Sequence, residues 1–138
     1  MAAYVLHYVL LLVLLLGLDA VWLGTMVSRL YKPELGPLLM DGFKPLPAGL
    51  FYLIYAAGVL ALALVPALKS GQWTEALWRG ALLGFCAYTT YNLTNYATLR
   101  GWSLSVTAAD MVWGAVLTGA AATLAFFIGA RLSRLFGL

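Results

Sequence analysis

The sequence predicts an all-α protein, a bundle of four transmembrane helices with a short interfacial helix or lid between spans one and two. Of its 138 residues, 64% are hydrophobic and 9% charged, whereas soluble domains are about 45–50% apolar and about 25% charged. A spanning helix needs about 20 mostly apolar residues, so four such helices fit this chain. The alternating pattern of a transmembrane barrel is missing from the sequence. We therefore expect a single integral membrane domain with spans at about residues 3–25, 48–68, 80–99 and 105–130.

The first predicted span is nearly all Leu and Val, but it carries one ionisable residue, Asp19, followed by Trp22. An ionisable residue inside a span costs about 2.5–3.5 kcal/mol and normally faces protein or water rather than lipid. Asp19 therefore needs a partner. His7 lies near the start of the span, and we expect it to reach the lipid head groups, because the chain has no second histidine to complete a metal site.

A polar connection at residues 26–47 joins the first two spans and contains five charged residues and four prolines. Pro33 followed by Glu34 is a signal for the start of a helix. The leucines that follow could form an apolar face. These features predict a short interfacial helix at residues 33–40 that lies flat on the membrane as a lid.

The second predicted span carries Tyr52 and Tyr55 in its first two turns, and aliphatic residues with Gly58 follow until Pro66. Pro66 is tolerable near the end of a span, because neighbouring groups can take up the carbonyl that proline leaves free. The next connection, residues 69–79, mixes tryptophan with charged side chains, as expected at a membrane surface.

The third predicted span places its small and polar residues along one stripe of a helical wheel. Two glycines four residues apart let another helix approach closely, and asparagines facing lipid would each cost several kcal/mol if they were unpaired. The stripe consists of Gly80, Gly84, Tyr88, Tyr91, Asn92 and Asn95. The residues predicted to face protein rather than lipid are Gly80, Gly84, Tyr88, Asn92 and Asn95. Thr90, Thr94 and Thr98 form an adjacent stripe, in which each hydroxyl is expected to bond a carbonyl of its own helix.

A tight turn at residues 100–103 precedes the fourth predicted span, which carries Asp110 and Trp113 about two turns from its start. The sequence Asp-Ala-Val-Trp at residues 19–22 is echoed by Asp-Met-Val-Trp at residues 110–113. This echo is too short to establish an internal duplication.

Because successive spans alternate in direction, the polar ends of all four spans should meet at one side of the membrane. Two carboxylates at similar depth should not both stay charged without a cation, so either one is protonated at neutral pH or Arg100 compensates them. We expect both carboxylates to lie close to each other or to share partners among Tyr52, Tyr91, Asn92 and Asn95. The alternative is that they act only as interhelical glue. The candidate ligand-binding or proton-coupling residues are Asp19, Trp22, Tyr52, Tyr55, Tyr91, Asn92, Asn95, Arg100, Asp110 and Trp113.

Three classes of function fit this arrangement. The favoured interpretation is a carrier or binding protein for a small cationic or amphiphilic ligand, coupled to a proton. The alternatives are a membrane enzyme that uses Asp19 and Asp110 as an acid/base pair on a lipid-soluble substrate, and an accessory subunit of a membrane complex. No cofactor and no metal site are predicted, since Cys86 and His7 are the only residues of their types. The bilayer is the expected partner. The positive charges are scattered singly, which argues against binding of nucleic acid. Association of several copies into a homo-oligomer is compatible with the sequence.

Four segments carry a family resemblance: residues 18–23 (Leu-Asp-Ala-Val-Trp-Leu), 49–52 (Gly-Leu-Phe-Tyr), 91–99 (Tyr-Asn-Leu-Thr-Asn-Tyr-Ala-Thr-Leu) and 110–114 (Asp-Met-Val-Trp-Gly). In these segments the chain resembles a bacterial family of small four-span membrane proteins with a domain of unknown function. The resemblance covers essentially the whole chain and implies no catalytic residue or substrate. It is consistent with a multi-pass protein of the bacterial cytoplasmic (inner) membrane. The basic C-terminal tail favours termini in the cytoplasm.

Overall fold

A computed structural model describes residues 1–137, which are helical over most of their length. Six α-helices follow one another: α1 (Ala2–Met26), α2 (Lys32–Leu35), α3 (Pro45–Val59), α4 (Val65–Ser70), α5 (Trp73–Thr98) and α6 (Leu104–Phe136). The π-helical turn Val27–Tyr31 joins α1 to α2, and a second π-helical turn, Leu60–Leu64, joins α3 to α4. The 3-10 turn Gly36–Leu38 follows α2. No strand occurs within residues 1–137, so the all-α prediction is confirmed.

Three helical rods are long and apolar enough to cross a membrane: a first rod Ala2–Leu38, a second rod Pro45–Ser70, and α6, Leu104–Phe136. Helix α5 has 26 residues but falls outside this group, because tyrosine, threonine and asparagine lower its hydropathy. The structure thus contains the four long helices that the sequence predicted. Three of them qualify as spans by length and composition.

The separate interfacial helix predicted at residues 33–40 is not confirmed. Residues 32–38 are helical, but they continue the first rod through the π turn, where the backbone N–H of Lys32 bonds to the carbonyl of Val27. Pro33 lies in the first turn of α2, directly after the π turn, and the wider turn leaves room for a proline ring that would clash with the carbonyl four residues earlier in a regular helix. The side chain of Glu34 accepts a hydrogen bond from Ser103 Oγ at 2.5 Å, which fastens this end of the rod to the start of α6.

Helices α5 and α6 pack antiparallel through their glycines. A Cβ at Gly80 would stand 2.8 Å from the carbonyl oxygen of Thr118, and a Cβ at Gly84 would collide with the carbonyl oxygen of Gly114. Such close approach of two backbones requires small residues at the contact. Gly80, Gly84 and Asn92 are buried, as predicted for this stripe.

The second rod completes the core with small side chains. Its buried residues include Ala56, Val59 and Ala63, which pack in one cluster with Leu117 and several alanines of α6. The π turn Leu60–Leu64 directly precedes α4, which has Pro66 in its first turn. Proline in a helix clashes with the carbonyl four residues earlier. The π turn is wider than an α-helical turn and leaves room for the ring of Pro66.

His7 does not reach the head groups, contrary to the prediction. It is 3% exposed, its Nδ1 lies 2.6 Å from the carbonyl oxygen of Ala3, and its ring packs where a Cβ at Gly129 would collide with it. The imidazole fits inside the protein because a glycine on α6 leaves space for it.

Candidate functional site

Asp19 is held between the second rod and α6. Its side chain is 7% exposed, and each carboxylate oxygen accepts one hydrogen bond. The hydroxyl of Tyr52 donates to Oδ2, and the indole N–H of Trp113 donates to Oδ1 at 3.0 Å. Asp19 was predicted to need a partner inside the protein, and it has two, which come from two different helices.

Asp110 has the same number of partners and the same exposure, 7%. The hydroxyl of Tyr31 donates to Oδ1, and Asn92 Nδ2 donates to Oδ2 at 3.2 Å. Asn92 Nδ2 also donates to the carbonyl of Tyr88 at 3.1 Å, which fixes the orientation of the amide. Asn92 Oδ1 is buried without a hydrogen-bond partner in the described chain, so the site retains one free acceptor.

The two tryptophans of the repeated Asp-x-x-Trp sequence connect the carboxylates. Trp22 and Trp113 stack with ring centroids 4.5 Å apart and planes inclined by 6°. Trp113 donates a hydrogen bond to Asp19. The indole N–H of Trp22 donates at 2.9 Å to the Tyr31 hydroxyl, which in turn donates to Asp110. Each tryptophan therefore supports the aspartate of the other helix.

Neither the predicted shared partner nor the predicted role of Arg100 is found. Among residues 1–137, no side chain hydrogen-bonds to both carboxylates, and the stacked tryptophans are the link instead. Arg100 is exposed in the turn before α6, where a long side chain can stay in contact with water. Over the described chain, the only ion pair joins Arg79 to Glu75 at 3.0 Å. Both buried carboxylates thus have neutral donors alone.

The other predicted residues lie further from the carboxylates. Tyr55 bonds to Thr118 Oγ1 at 2.7 Å and so ties the second rod to α6. Tyr91 is 58% exposed and meets the ring of Trp102 edge-on, with centroids 5.7 Å apart. Asn95 is half-buried. The stripe of Thr90, Thr94 and Thr98 bonds to carbonyls one turn earlier in α5, as predicted.

Sequence reasoning missed Tyr31. The first span was predicted to end near residue 25, which placed Tyr31 in a polar connection. The structure continues the helix through the π turn Val27–Tyr31. A signal was present, because residues 25–32 contain no glycine or proline and could have extended the helix. The π turn adds one residue to the turn, which rotates the following side chains by about 100°.

Two cavities adjoin the polar residues. A cavity of about 440 Å³ is lined by Phe51, Ala87, Tyr88, Tyr91 and Asp110. A larger groove of about 990 Å³ opens between the first rod and the start of α3, and Tyr31 and Tyr52 are among the residues that line it. Within residues 1–137, no group of three or more His, Cys, Asp or Glu side chains could hold a metal ion. The side chains that line the two cavities offer hydrogen bonding, charge and aromatic contact to a ligand.

Comparison with known proteins gives one family. No curated protein and no solved structure matches the chain. Residues 4–127 match the family described as Predicted membrane protein (DUF2177), and this region includes nearly all of α1, the whole second rod and α5, and most of α6. It also includes both aspartates and all four of their hydrogen-bonding partners. Since the match covers well over half of its length, the chain belongs to this family of predicted membrane proteins, whose function is unknown.

Proposed function

We propose that this protein is a small-molecule carrier or binding protein for a cationic or amphiphilic ligand, and that Asp19 and Asp110 couple binding to a proton. One observation carries the proposal. Each of these carboxylates is 7% exposed and has two neutral donors, but neither has a cationic partner within residues 1–137. A charge inside a membrane span costs about 2.5–3.5 kcal/mol. Hydrogen bonds between transmembrane helices contribute on average about 0.6 kcal/mol each, so two of them offset only part of that cost. A proton or a bound cation would supply the missing positive charge.

The cavity beside Asp110 suits a cation. Its volume, about 440 Å³, lies within the range of about 300–1,000 Å³ that is usual for small-molecule sites. Three of its five lining residues, Phe51, Tyr88 and Tyr91, are aromatic. The faces of aromatic rings attract cations by about 0.5–2 kcal/mol each. A ligand cation in this cavity would compete with a proton for the Asp110 carboxylate, and this competition is the basis of the proposed coupling.

The proposal includes four crossings of the bilayer, with α5 as the third. Helix α5 buries Gly80, Gly84 and Asn92 against its neighbours, and the hydroxyls of its exposed Thr90 and Thr98 bond to carbonyls of their own helix, so these hydroxyls need no water. We place the protein in the bacterial cytoplasmic membrane with both termini in the cytoplasm. Enzyme-reporter fusions after residue 136 and in residues 39–44 would test this topology, since the two sites should report opposite sides.

Binding can be measured with tetraphenylphosphonium, a membrane-permeant organic cation, on the purified protein in detergent by equilibrium dialysis. The wild-type protein should bind this cation more weakly at pH 5 than at pH 8, because protons occupy the same carboxylates. Asp110→Asn should weaken binding at pH 8 by about tenfold or more, equivalent to about 1.4 kcal/mol, and should remove the pH dependence. Glu75→Gln is the matched control, since Glu75 lies at the start of α5 and lines neither this cavity nor the larger groove.

Two results would contradict the proposal. One is a wild-type protein that fails to bind the cation at any pH. The other is an Asp110→Asn protein that is folded by circular dichroism and retains wild-type affinity. A variant that loses thermal stability without any change in cation binding would instead favour the role of interhelical glue.

A further inference from the structure

The groove of about 990 Å³ is separate from the cavity at Asp110 and has a different character. Along the first rod its wall is apolar and includes Leu16, Ala20 and Leu23. The connection between the first rod and α3 also lines the groove, and it contributes Asp41, while the rod contributes Lys32. An apolar channel with charged groups at one end is the pattern of a site for an amphiphile.

The length of the apolar wall matches one leaflet of a bilayer. From Leu16 to Val27, both in contact with the groove, a helix rises by about 17 Å. The hydrocarbon core of a membrane is about 30 Å thick, so one leaflet contributes about 15 Å. Lys32 lies more than one further turn along the same rod, which places it at the depth of lipid head groups when the rod spans the membrane.

The charges at this end are one cation and one anion. Both Lys32 and Asp41 are exposed, and neither has an ion-pair partner within residues 1–137. A zwitterionic head group could satisfy both, its phosphate at Lys32 and its ammonium at Asp41. An anionic phospholipid would place a negative charge beside Asp41 without a compensating ammonium, which is unfavourable for like charges at short range.

We infer that the groove is a binding site for one phospholipid with a zwitterionic head group, with an acyl chain along the wall that includes Leu16, Ala20 and Leu23. This site does not depend on the cation site proposed above. It has a consequence for that site, however. Tyr31 and Tyr52 line the groove and also donate to the two buried carboxylates, so the bound acyl chain packs against the side chains that hold Asp110 and Asp19.

The inference can be tested by native mass spectrometry of the protein released from nanodiscs that contain equal amounts of dioleoyl phosphatidylethanolamine and dioleoyl phosphatidylglycerol. The wild-type protein should retain one lipid, with the ethanolamine lipid favoured by about fivefold, as expected for exposed charge pairs. Asp41→Asn should abolish the preference. Lys44→Gln is the control, because Lys44 lies in the same connection but does not line the groove, and its preference should equal that of the wild type.

A second pair of variants tests the acyl-chain part of the site. Ala20→Phe places a large side chain in the groove and should reduce retention of both lipids by about fivefold or more. Ala57→Phe adds the same bulk at an exposed position of α3 outside the groove and should retain lipid normally. The inference is overturned if the wild type retains no lipid, if Asp41→Asn keeps the preference, or if Ala20→Phe retains as much lipid as Ala57→Phe. Cation binding measured on Ala20→Phe separates a failure of this site from a failure of the proposed function.

Discussion

Replacement of Gly84 by alanine would test the close contact between α5 and α6 that positions Asn92 against Asp110. The added Cβ would collide with the carbonyl oxygen of Gly114, and it would stand 2.5 Å from Thr118 Oγ1 and 2.7 Å from the carbonyl carbon of Gly114. Ordinary contact begins near 3.4 Å. Two of the three atoms belong to backbone, so α5 must move away from α6 by about 1 Å, since packed interiors have little spare volume.

The expected loss of stability is about 2 kcal/mol. Inserting one carbon into a packed contact costs about 1–3 kcal/mol, and the higher helix propensity of alanine returns at most about 1 kcal/mol. The shift also stretches the 3.2 Å hydrogen bond between Asn92 and Asp110, and a buried group that loses its partner costs about 1–3 kcal/mol. These contributions together exceed the gain in propensity.

Stability can be measured by titration with sodium dodecyl sulfate in mixed micelles, followed by tryptophan fluorescence. Gly84→Ala should unfold at a clearly lower detergent fraction than the wild type. Gly17→Ala is the matched control, because Gly17 is also inside a helix and a Cβ there meets nothing within 4 Å. It should be neutral or slightly stabilising. Equal unfolding midpoints for the two variants would refute the argument.

Two further predictions use the same unfolding assay. Tyr31→Phe removes a hydrogen-bond donor from Asp110 and should lower the free energy of unfolding by about 1–3 kcal/mol. Tyr96→Phe is the control and should be neutral, because the Tyr96 side chain is 47% exposed. Similar unfolding midpoints for both variants would show that the Tyr31 hydroxyl does not stabilise the protein. Gly129→Ala should cost about 1–3 kcal/mol because its Cβ collides with the His7 ring, and adding His7→Ala should recover part of that loss. A double variant no more stable than Gly129→Ala would contradict this contact.

The buried face of α5 could be predicted from sequence because helical periodicity is local. Once the segment is taken as a helix, Gly80, Gly84 and Asn92 must lie on one side, and the low tolerance of lipid for polar groups requires that side to face protein. The structure buries all three. The same reasoning predicted that the threonine hydroxyls of α5 bond to carbonyls of their own helix, because each donor and acceptor are only one helical turn apart in the chain.

The donors Tyr52, Asn92 and Trp113 were among the predicted candidate residues, but the pairing of each donor with its carboxylate could not be predicted in the same way, because it depends on distant contacts and on irregular turns. Tyr31 reaches Asp110 across 79 residues of sequence, and it does so after a π turn that no simple 3.6-residue pattern indicates. His7 was misplaced for a related reason. Its burial depends on the space that Gly129 leaves on α6, at the other end of the chain. The residues next to His7 in the sequence give no information about that contact.

The repeated Asp-x-x-Trp sequence has a structural explanation that the short echo alone could not give. Three residues along a helix bring Trp22 one turn above Asp19, and Trp113 one turn from Asp110, on nearly the same face. Each indole then extends across the interface, where the two rings stack and each N–H serves the carboxylate of the opposite helix, directly at Asp19 and through the Tyr31 hydroxyl at Asp110. Because the stack is common to both halves, a displacement of either tryptophan must disturb both carboxylates. The two aspartates therefore form one unit even though they share no hydrogen-bond partner.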